Sequence, residues 1–249
     1  MTNNPHHFII DQGNSLTKVA LFQAKNLISL IKLKDDEQEK LTSLIAAHPS
    51  SDIFISSVRS ETTFIEASLG STNRLIYFER GDRLPFAVRY QTPETLGLDR
   101  LANAAGAVDR FGDADVLVID CGTCITSTFI KSGVLEGGSI SPGLRMRAKA
   151  LNHYTGKLPL VDLDHSLPEL IGRSTKDSIL SGIIRGTIQE IQGIITEYCS
   201  ENAALNVIVT GGDGGFLGSY LKSPIFANEN LTLLGLNKIY LFNYCEKNI

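Results

Sequence analysis

The sequence predicts an α/β protein built twice over, with two halves that each carry a mixed sheet flanked by helices. Two observations predict this. First, Ile9-Ile10-Asp11-Gln12-Gly13-Asn14-Ser15-Leu16-Thr17-Lys18 and Val118-Ile119-Asp120-Cys121-Gly122-Thr123-Cys124-Ile125-Thr126 read almost alike, nearly half the chain apart. In each, a β-branched run ends in aspartate, followed by a spacer, a glycine, an amide or hydroxyl residue and more strand formers. Second, the order of strand-like and helix-like segments around the first stretch recurs around the second.

The bulk properties narrow the field. A chain of 249 residues with 43% hydrophobic content can bury a large core. Its net charge of −4 and pI near 5.7 give no basic footprint for nucleic acid or an anionic membrane. No apolar run approaches the roughly 20 residues that span a bilayer. The start, Met1-Thr2-Asn3-Asn4-Pro5-His6-His7, has no charged segment leading into an apolar one, so the expected location is the cytoplasm. Four cysteines are too few for a disulfide framework.

Taken in order, His7–Ile10, Leu16–Phe22 and Leu27–Leu33 read as a meander of three strands. Asp35–Ala47 has helical spacing at Leu41, Leu44 and Ile45, with acidic residues in its first turn. Asp52–Ser57 is a buried strand, Ser60 to about Leu69 a helix, and Arg74–Phe78 another strand. Gly81–Pro93 is irregular, and alanine-rich Leu98–Phe111 is a helix that links the halves.

The second half repeats the order. Val116–Asp120, Ile125–Ile130 and Val134–Ile140 are strands, and Pro142–Leu151 is a helix opened by proline. Thr175–Cys199 is a long amphipathic helix with Ile179, Ile183, Ile191 and Ile195 on one stripe. Val207–Val209 is a strand running into Thr210-Gly211-Gly212-Asp213-Gly214-Gly215, and a last helix covers about Thr232–Asn243. Meander, helix, strand, helix, strand, twice over, is the ribonuclease-H-like repeat of the acetate and sugar kinase, heat-shock chaperone and actin superfamily. The expected domains are 1–110 and 111–249, with the active site in the cleft between them.

The paired loops suit a phosphorylated nucleotide. Glycine lets backbone N–H groups approach an anion, and a carboxylate at a strand end is a hard ligand for magnesium. Asp11, Gly13, Asn14 and Lys18 would hold phosphates; a plain hairpin turn explains the same residues taken alone, and the repeat at Asp120, Gly122, Thr123 and Thr126 argues against it. Thr210-Gly211-Gly212-Asp213 lets an adenosine lie against backbone, or makes Asp213 a helix N-cap, or both. Cys121-Gly-Thr-Cys124 has C-x-x-C spacing, but it lies between strands and no paired ligands accompany it, so small-residue packing explains it better than metal or redox chemistry. In Tyr90 through Arg100, Asp99 either caps a helix or accepts a proton from a hydroxyl, and Arg100 is a fork donor suited to a carboxylate.

On these residues the chain resembles the type III pantothenate kinases over nearly its whole length. The parts stand in that family's order: Asp11-x-Gly-Asn-x-x-x-Lys18, Ile55-Ser-Ser-Val58, Tyr90, Gly97-Leu98-Asp99-Arg100, Asp120-x-Gly-Thr-x-x-Thr126, Gly137-Gly-Ser-Ile-Ser-Pro-Gly143, Leu158-Pro159, Thr175 and Thr210-Gly-Gly-Asp213. The glycine loops are shared across the superfamily, whereas Gly-x-Asp-Arg with its upstream tyrosine is specific to this group. The resemblance implies ATP-dependent phosphorylation of the primary hydroxyl of pantothenate to 4'-phosphopantothenate, the first step of coenzyme A biosynthesis. It implies Asp99 as general base and Asp11 as the magnesium-organising carboxylate. It implies ATP contacts from Asp11, Gln12, Gly13, Asn14, Ser15, Leu16, Thr17, Lys18 and Thr123. Pantothenate would meet Tyr90, Gly97, Leu98, Asp99, Arg100 and Thr175. Asp120 would bind a monovalent cation, K⁺ or NH₄⁺, helped by oxygens of Thr126 and Ser127. Members are homodimers, so Thr175 and Thr155-Gly156 would reach the neighbour's site.

The chain departs from the family at two places: Thr128 stands where a further acid is frequent, and Cys124 where alanine is usual. The rival enzyme reading is a ribonuclease-H-like nuclease, which needs three or four acids around two metals where only Asp11 and Asp120 are suitably placed. The same fold could also serve a kinase-like accessory protein, or a kinase of another small hydroxy acid. Intact Asp11, Asp99 and Arg100 speak against the accessory role.

Overall fold

The computed structural model describes residues 6–14, 16–34, 36–57, 59, 63–70 and 72–245. In chain order the elements are β1 (His6–Gln12), β2 (Thr17–Gln23), β3 (Asn26–Leu33), α1 (Gln38–Ala46), β4 (Asp52–Ser57), α2 (Thr63–Glu66), β5 (Arg74–Tyr77), β6 (Ala87–Val88), a 3₁₀ turn (Pro93–Thr95) and α3 (Leu98–Phe111). There follow β7 (Val116–Cys121), β8 (Cys124–Lys131), β9 (Val134–Pro142), α4 (Leu144–Tyr154), α5 (Thr175–Glu201), β10 (Asn206–Thr210), α6 (Gly214–Gly218), β11 (Phe226–Ala227) and α7 (Leu231–Tyr244). They form two compact units, Met1–Arg110 with Leu231–Ile249, and Phe111–Asn230.

Both units use one sheet plan. Strand order in the first is β3-β2-β1-β4-β5, and the corresponding run in the second is β9-β8-β7-β10-β11. In each, the first three strands form an antiparallel meander and the first pairs in parallel with the fourth. The duplication implied by the paired loops is therefore present strand for strand. Asp11 lies opposite Lys18 and beside Ser56, and Asp120 lies opposite Thr126 and beside Thr210. Each aspartate is thus the next-to-last residue of a central strand of its sheet.

The cores follow from the apolar runs. Phe8, Ile10, Val19, Leu21, Ile53 and Ile55 pack with Leu41 and Ile45 of α1 in the first unit. In the second, Leu117, Ile119, Val207 and Val209 pack against the α5 stripe of Ile179, Ile183, Ile191 and Ile195. Burying side chains of this size contributes roughly 1.5–3 kcal/mol each.

Three expectations are corrected. Of the helix expected over Ser60–Leu69, only Thr63–Glu66 is helical; Ser60 lies outside the described residues, and the chain turns away after Glu66 through the Ser68 and Leu69 amides. Pro142 does not open a helix: it is the last residue of β9, paired with Cys124, and α4 starts two residues later. A strand end tolerates proline, whose missing N–H would weaken a strand interior. The last helix does not belong with residues 111–230 as the sequence suggested. α7 packs in the first unit, where Thr232 Oγ1 donates to Asn103 Oδ1 (2.9 Å), Tyr240 OH donates to Asp52 Oδ2 (2.8 Å), and Asn237 bonds both His7 Nε2 (2.6 Å) and the Ala24 carbonyl (3.1 Å). Among the described residues, no helix is long and apolar enough to cross a membrane.

α7 approaches α3 at two glycines. A Cβ built on Gly235 would fall 1.7 Å from the Ala102 carbonyl oxygen, and one on Gly106 would fall 2.9 Å from the Leu231 carbonyl. Alanine normally favours a helix interior by about 1 kcal/mol over glycine. Here the clash is backbone on backbone, so Gly235→Ala is expected to lower stability by about 2–3 kcal/mol, an overpacking cost. The urea midpoint of the variant measures it, and an unchanged or raised midpoint would show that α3 and α7 can separate freely.

Candidate active site

The first-unit loop is braced from below. Gln12 is buried, and its Oε1 accepts a hydrogen bond from Ser57 Oγ at 2.7 Å. Ser57 Oγ in turn accepts from the Arg59 N–H (3.0 Å), and Arg59 Nε donates to the Gly13 carbonyl (2.8 Å). The Gly13 N–H donates to the Leu16 carbonyl at 3.1 Å, closing the turn. Asn14 and Leu16 face solvent, Asp11, Gly13 and Lys18 are half-buried, and Ser15 lies outside the described residues. Thr17 is fully buried, and its Oγ1 has no hydrogen-bond partner among the described residues. Burying an unpaired hydroxyl costs roughly 1–3 kcal/mol, and Thr17 lies opposite Gln12, on the core-facing side of the sheet rather than on the Asp11 side. The sequence pattern marks Ile55–Val58 but gives no sign of Arg59 directly after it, whose long donor reaches across to the glycine turn.

In the second unit three turns meet at Asp120. Gly211 has φ of +90°, and a Cβ on it would lie 2.4 Å from Asp120 Oδ1 and 2.5 Å from the Cys121 carbonyl. Only glycine lets the β10 turn close this tightly over the carboxylate. The Asp213 N–H donates to the Cys121 carbonyl (2.9 Å), and the Gly122 N–H to the Cys124 carbonyl (3.0 Å). The Gly143 N–H donates to the Thr123 carbonyl (3.1 Å), tying the end of β9 to the same place. Thr123 itself is exposed, so its hydroxyl and amide are open to a ligand.

The oxygens flanking Asp120 differ from expectation at one residue. Thr126 is opposite Asp120 as expected, but Ser127 is opposite Ile119, on the core-facing side of the sheet. Ser127 Oγ is committed to Ser139, sharing a hydrogen bond with its Oγ and accepting from its N–H, both at 2.7 Å. Successive residues of a strand point to opposite faces, which excludes Ser127 from the Asp120 group. Thr210 takes its place. It pairs with Asp120 from β10, is 1% exposed, and its Oγ1 has no partner among the described residues.

Cys121 is buried, and burial, with the charges of Asp120 and Asp213 nearby, pushes its thiol far above the usual range. Burial therefore disfavours the thiolate form that nucleophilic or metal-ligand chemistry would require. No group of three or more potential His, Cys, Asp or Glu ligands occurs among the described residues. Asp213 precedes α6 but does not cap it with its side chain; its Oδ1 is bonded to His165 Nε2 at 2.8 Å, and the His165 ring stands edge-on to Phe216. His165, at φ of +54°, carries no signal in the sequence, because it sits in a long segment without periodicity.

The Gly97–Arg100 segment opens α3. Asp99 Oδ1 accepts the Arg100 N–H (2.8 Å) and folds over Gly97, where a Cβ would lie 2.3 Å from it. Arg80 Nε donates to the Leu96 carbonyl at 3.1 Å, fixing the residue before the turn. Arg100 is 3% exposed, with its guanidinium carbon 5.7 Å from the centre of the Tyr90 ring, a cation–π arrangement. Tyr90, Gly97, Asp99 and Arg100 are thus gathered in the first unit, with Leu98 half-buried among them. Thr175, in the second unit, is the exposed first residue of α5, behind the N-cap Ser174, whose Oγ accepts the Asp177 N–H at 3.1 Å.

A fold made twice on one plan, with an aspartate next to last in a central strand of each sheet, places the chain in the acetate and sugar kinase, heat-shock chaperone and actin class. Two solved structures share the fold. One is a Campylobacter jejuni protein described as a conserved member of the Baf transcriptional-activator family (TM-score 0.62, 24% identity, covering 95% of this chain and 98% of that one). The other is a Sinorhizobium meliloti protein described as a 2-dehydro-3-deoxygalactonokinase (TM-score 0.55, 13% identity, 96% and 99%). Within that class the chain belongs to the type III pantothenate kinase family, whose model matches residues 7–197. Type III pantothenate kinases of Cytophaga hutchinsonii and Christiangramia forsetii are 41% identical over 238 residues and 43% identical over 240, covering 95% of this chain and 99% and 98% of theirs. That of Bacteroides fragilis is 40% identical over 242 residues.

Proposed function

We propose that the protein transfers the γ-phosphoryl group of ATP to the primary hydroxyl of pantothenate, giving 4'-phosphopantothenate at the start of coenzyme A biosynthesis. The observation that carries the reading is Gly97–Arg100 in a member of this family: a half-buried carboxylate held over a glycine, next to a guanidinium buried under Tyr90. Arg100 takes the substrate carboxylate, with the charge-assisted fork geometry that suits it. Asp99 receives the proton as the hydroxyl attacks, while the catalysis of phosphoryl transfer is mainly positioning and charge stabilisation. The Asp11–Lys18 loop holds phosphates through backbone N–H groups and the lysine, and Thr123 adds a contact from the second loop. A coupled assay with ATP and pantothenate tests the reading; no turnover in magnesium and potassium would overturn it.

Two ions fit the residues present. Asp11, near the end of β1 beside the glycine turn, supplies a hard carboxylate oxygen for magnesium, which would offset charge on the transferring group when bound; Thr17, opposite Gln12, points to the other face of the sheet and is not part of this set. Asp120, between Thr126 and the unpartnered Thr210 hydroxyl, offers one acid and neutral oxygens, a set for a singly charged ion such as potassium or ammonium. Activity is therefore expected to rise in potassium over sodium, and Asp120→Ala to lose that response together with ATP affinity. Equal rates of the wild type in potassium, sodium and a bulky organic cation would assign Asp120 another role.

The working unit in this reading is a homodimer in the cytoplasm, free of nucleic acid and membrane. Its support is apolar surface on the second unit: Tyr154, Leu160, Leu170 and Ile171 are 83%, 57%, 71% and 75% exposed. The segment is nevertheless pinned, with Ser181 Oγ donating to the Leu170 carbonyl (2.9 Å) and Arg185 Nε to the Pro168 carbonyl (2.7 Å). Ordered apolar side chains facing solvent suit a second copy. Mixing Asp99→Asn with Thr175→Arg tests shared sites: a mixed dimer carries both lesions at one site and neither at the other, so activity should reappear. Absence of recovery, with subunit exchange shown independently, would mean that each chain closes its own pocket.

A further inference from the structure

Away from the residues that touch substrates, one charged group of the second unit is tied to the Thr123 turn through the end of β9. Glu190 projects from α5, fifteen positions after Thr175 in the same helix. Its Oε1 accepts from Ser141 Oγ at 2.5 Å, and its Oε2 from an Arg147 terminal nitrogen at 2.6 Å. Arg147 also donates through Nε to the Pro142 carbonyl (2.7 Å) and reaches Ser141 Oγ at 3.5 Å. Both charged side chains are mostly shielded, 23% exposed for Arg147 and 30% for Glu190. The Ser141–Gly143 segment so gripped is the one that meets the nucleotide loop. Its Gly143 N–H donates to the Thr123 carbonyl, and a Cβ on Gly143 would lie 2.3 Å from the Gly122 carbonyl and 2.6 Å from that of Thr123. Ser141 and Pro142 pair with Ile125 and Cys124 in the ladder just beyond it.

We infer that Glu190 is a positioning residue for ATP: through Ser141 and Arg147 it fixes the end of β9, and the end of β9 fixes the Gly122–Cys124 turn. The inference rests on the reading of Thr123 as an ATP contact. A turn backed this closely by Gly143 has no freedom to shift unless Gly143 shifts with it, and the clamp's bonds to Ser141 and Pro142 hold the residues just before it. A displacement of about 1 Å at a group that positions a substrate costs up to 10²-fold. An ion pair that served stability alone, at this exposure, would affect folding modestly and all kinetic constants alike.

The test is Glu190→Gln, which keeps the shape and the Ser141 acceptor but removes the charge facing Arg147. The expected result is a rise of about tenfold in KM for ATP, with KM for pantothenate within about twofold and an unchanged unfolding midpoint. Arg147→Lys, which keeps the charge but not the fork, should show the same ATP-selective change, and the two together should be less than additive, since they break one link. If Glu190→Gln fails to fold, Arg147→Lys carries the test alone. An unchanged ATP KM, or equal changes in both KM values with a lowered midpoint, would overturn the inference. Calorimetric binding of magnesium ATP to wild type and variant separates the two readings: no binding to the wild type removes the proposed function, whereas equal binding to both removes the clamp only.

Discussion

Asp99→Asn is expected to reduce turnover by about 10²–10⁴ while leaving the fold and ATP binding nearly unchanged, the loss usual for removal of a general base. The local geometry makes this a clean substitution. Asp99 Oδ1 accepts the Arg100 N–H at 2.8 Å, and an asparagine oxygen can accept the same bond over Gly97. What asparagine cannot do is take a proton. Arg100 keeps its place under Tyr90, so pantothenate binding should survive. The measurement is kcat alongside the unfolding midpoint and ATP affinity. Turnover like the wild type would remove Asp99 as the base, and a large fall in the midpoint would mean that its charge, rather than its basicity, holds the start of α3.

What can be read from the sequence depends on how local the physics is. Asp11 and Asp120 are visible because each ends a β-branched run at a glycine, and the strand order that both sheets share follows from that duplication. The α5 stripe is visible because its isoleucines keep helical spacing, and all four are buried. The unit to which α7 belongs is not visible, because it is decided by partners more than a hundred residues away, Asn103, Asp52 and His7, which leave no local pattern. Ser127 resembles an oxygen donor beside Asp120 only through proximity along the chain. Strand alternation and a hydrogen bond to Ser139 turn it to the other face, and Thr210, far along the chain, fills the position through parallel pairing. Arg59, His165 and Glu190 act through single long side chains, which no periodicity marks.

The other large effect is expected at Gly211. Its φ of +90° is a conformation that residues with a side chain rarely adopt, and a Cβ there would meet Asp120 Oδ1 at 2.4 Å and backbone of Cys121 at 2.5–2.6 Å. Gly211→Ala therefore carries both backbone strain, of order 1–3 kcal/mol, and displacement of the carboxylate it covers. The expected outcome is a stability loss of about 2–4 kcal/mol in a urea titration, together with loss of the potassium response and at least a hundredfold fall in kcat/KM for ATP. Gly212 provides the comparison within the same turn, since a Cβ on it would meet nothing within 4 Å. Gly212→Ala should leave stability within about 0.5 kcal/mol of the wild type, the usual range for an exposed site. If an adenosine lies against this turn, Gly212→Ala will still raise KM for ATP, because the added methyl occupies the surface the nucleotide would use. Stability and potassium response unchanged in Gly211→Ala would show that the turn and Asp120 relax around a side chain, and that glycine at 211 is not what sets the cation site.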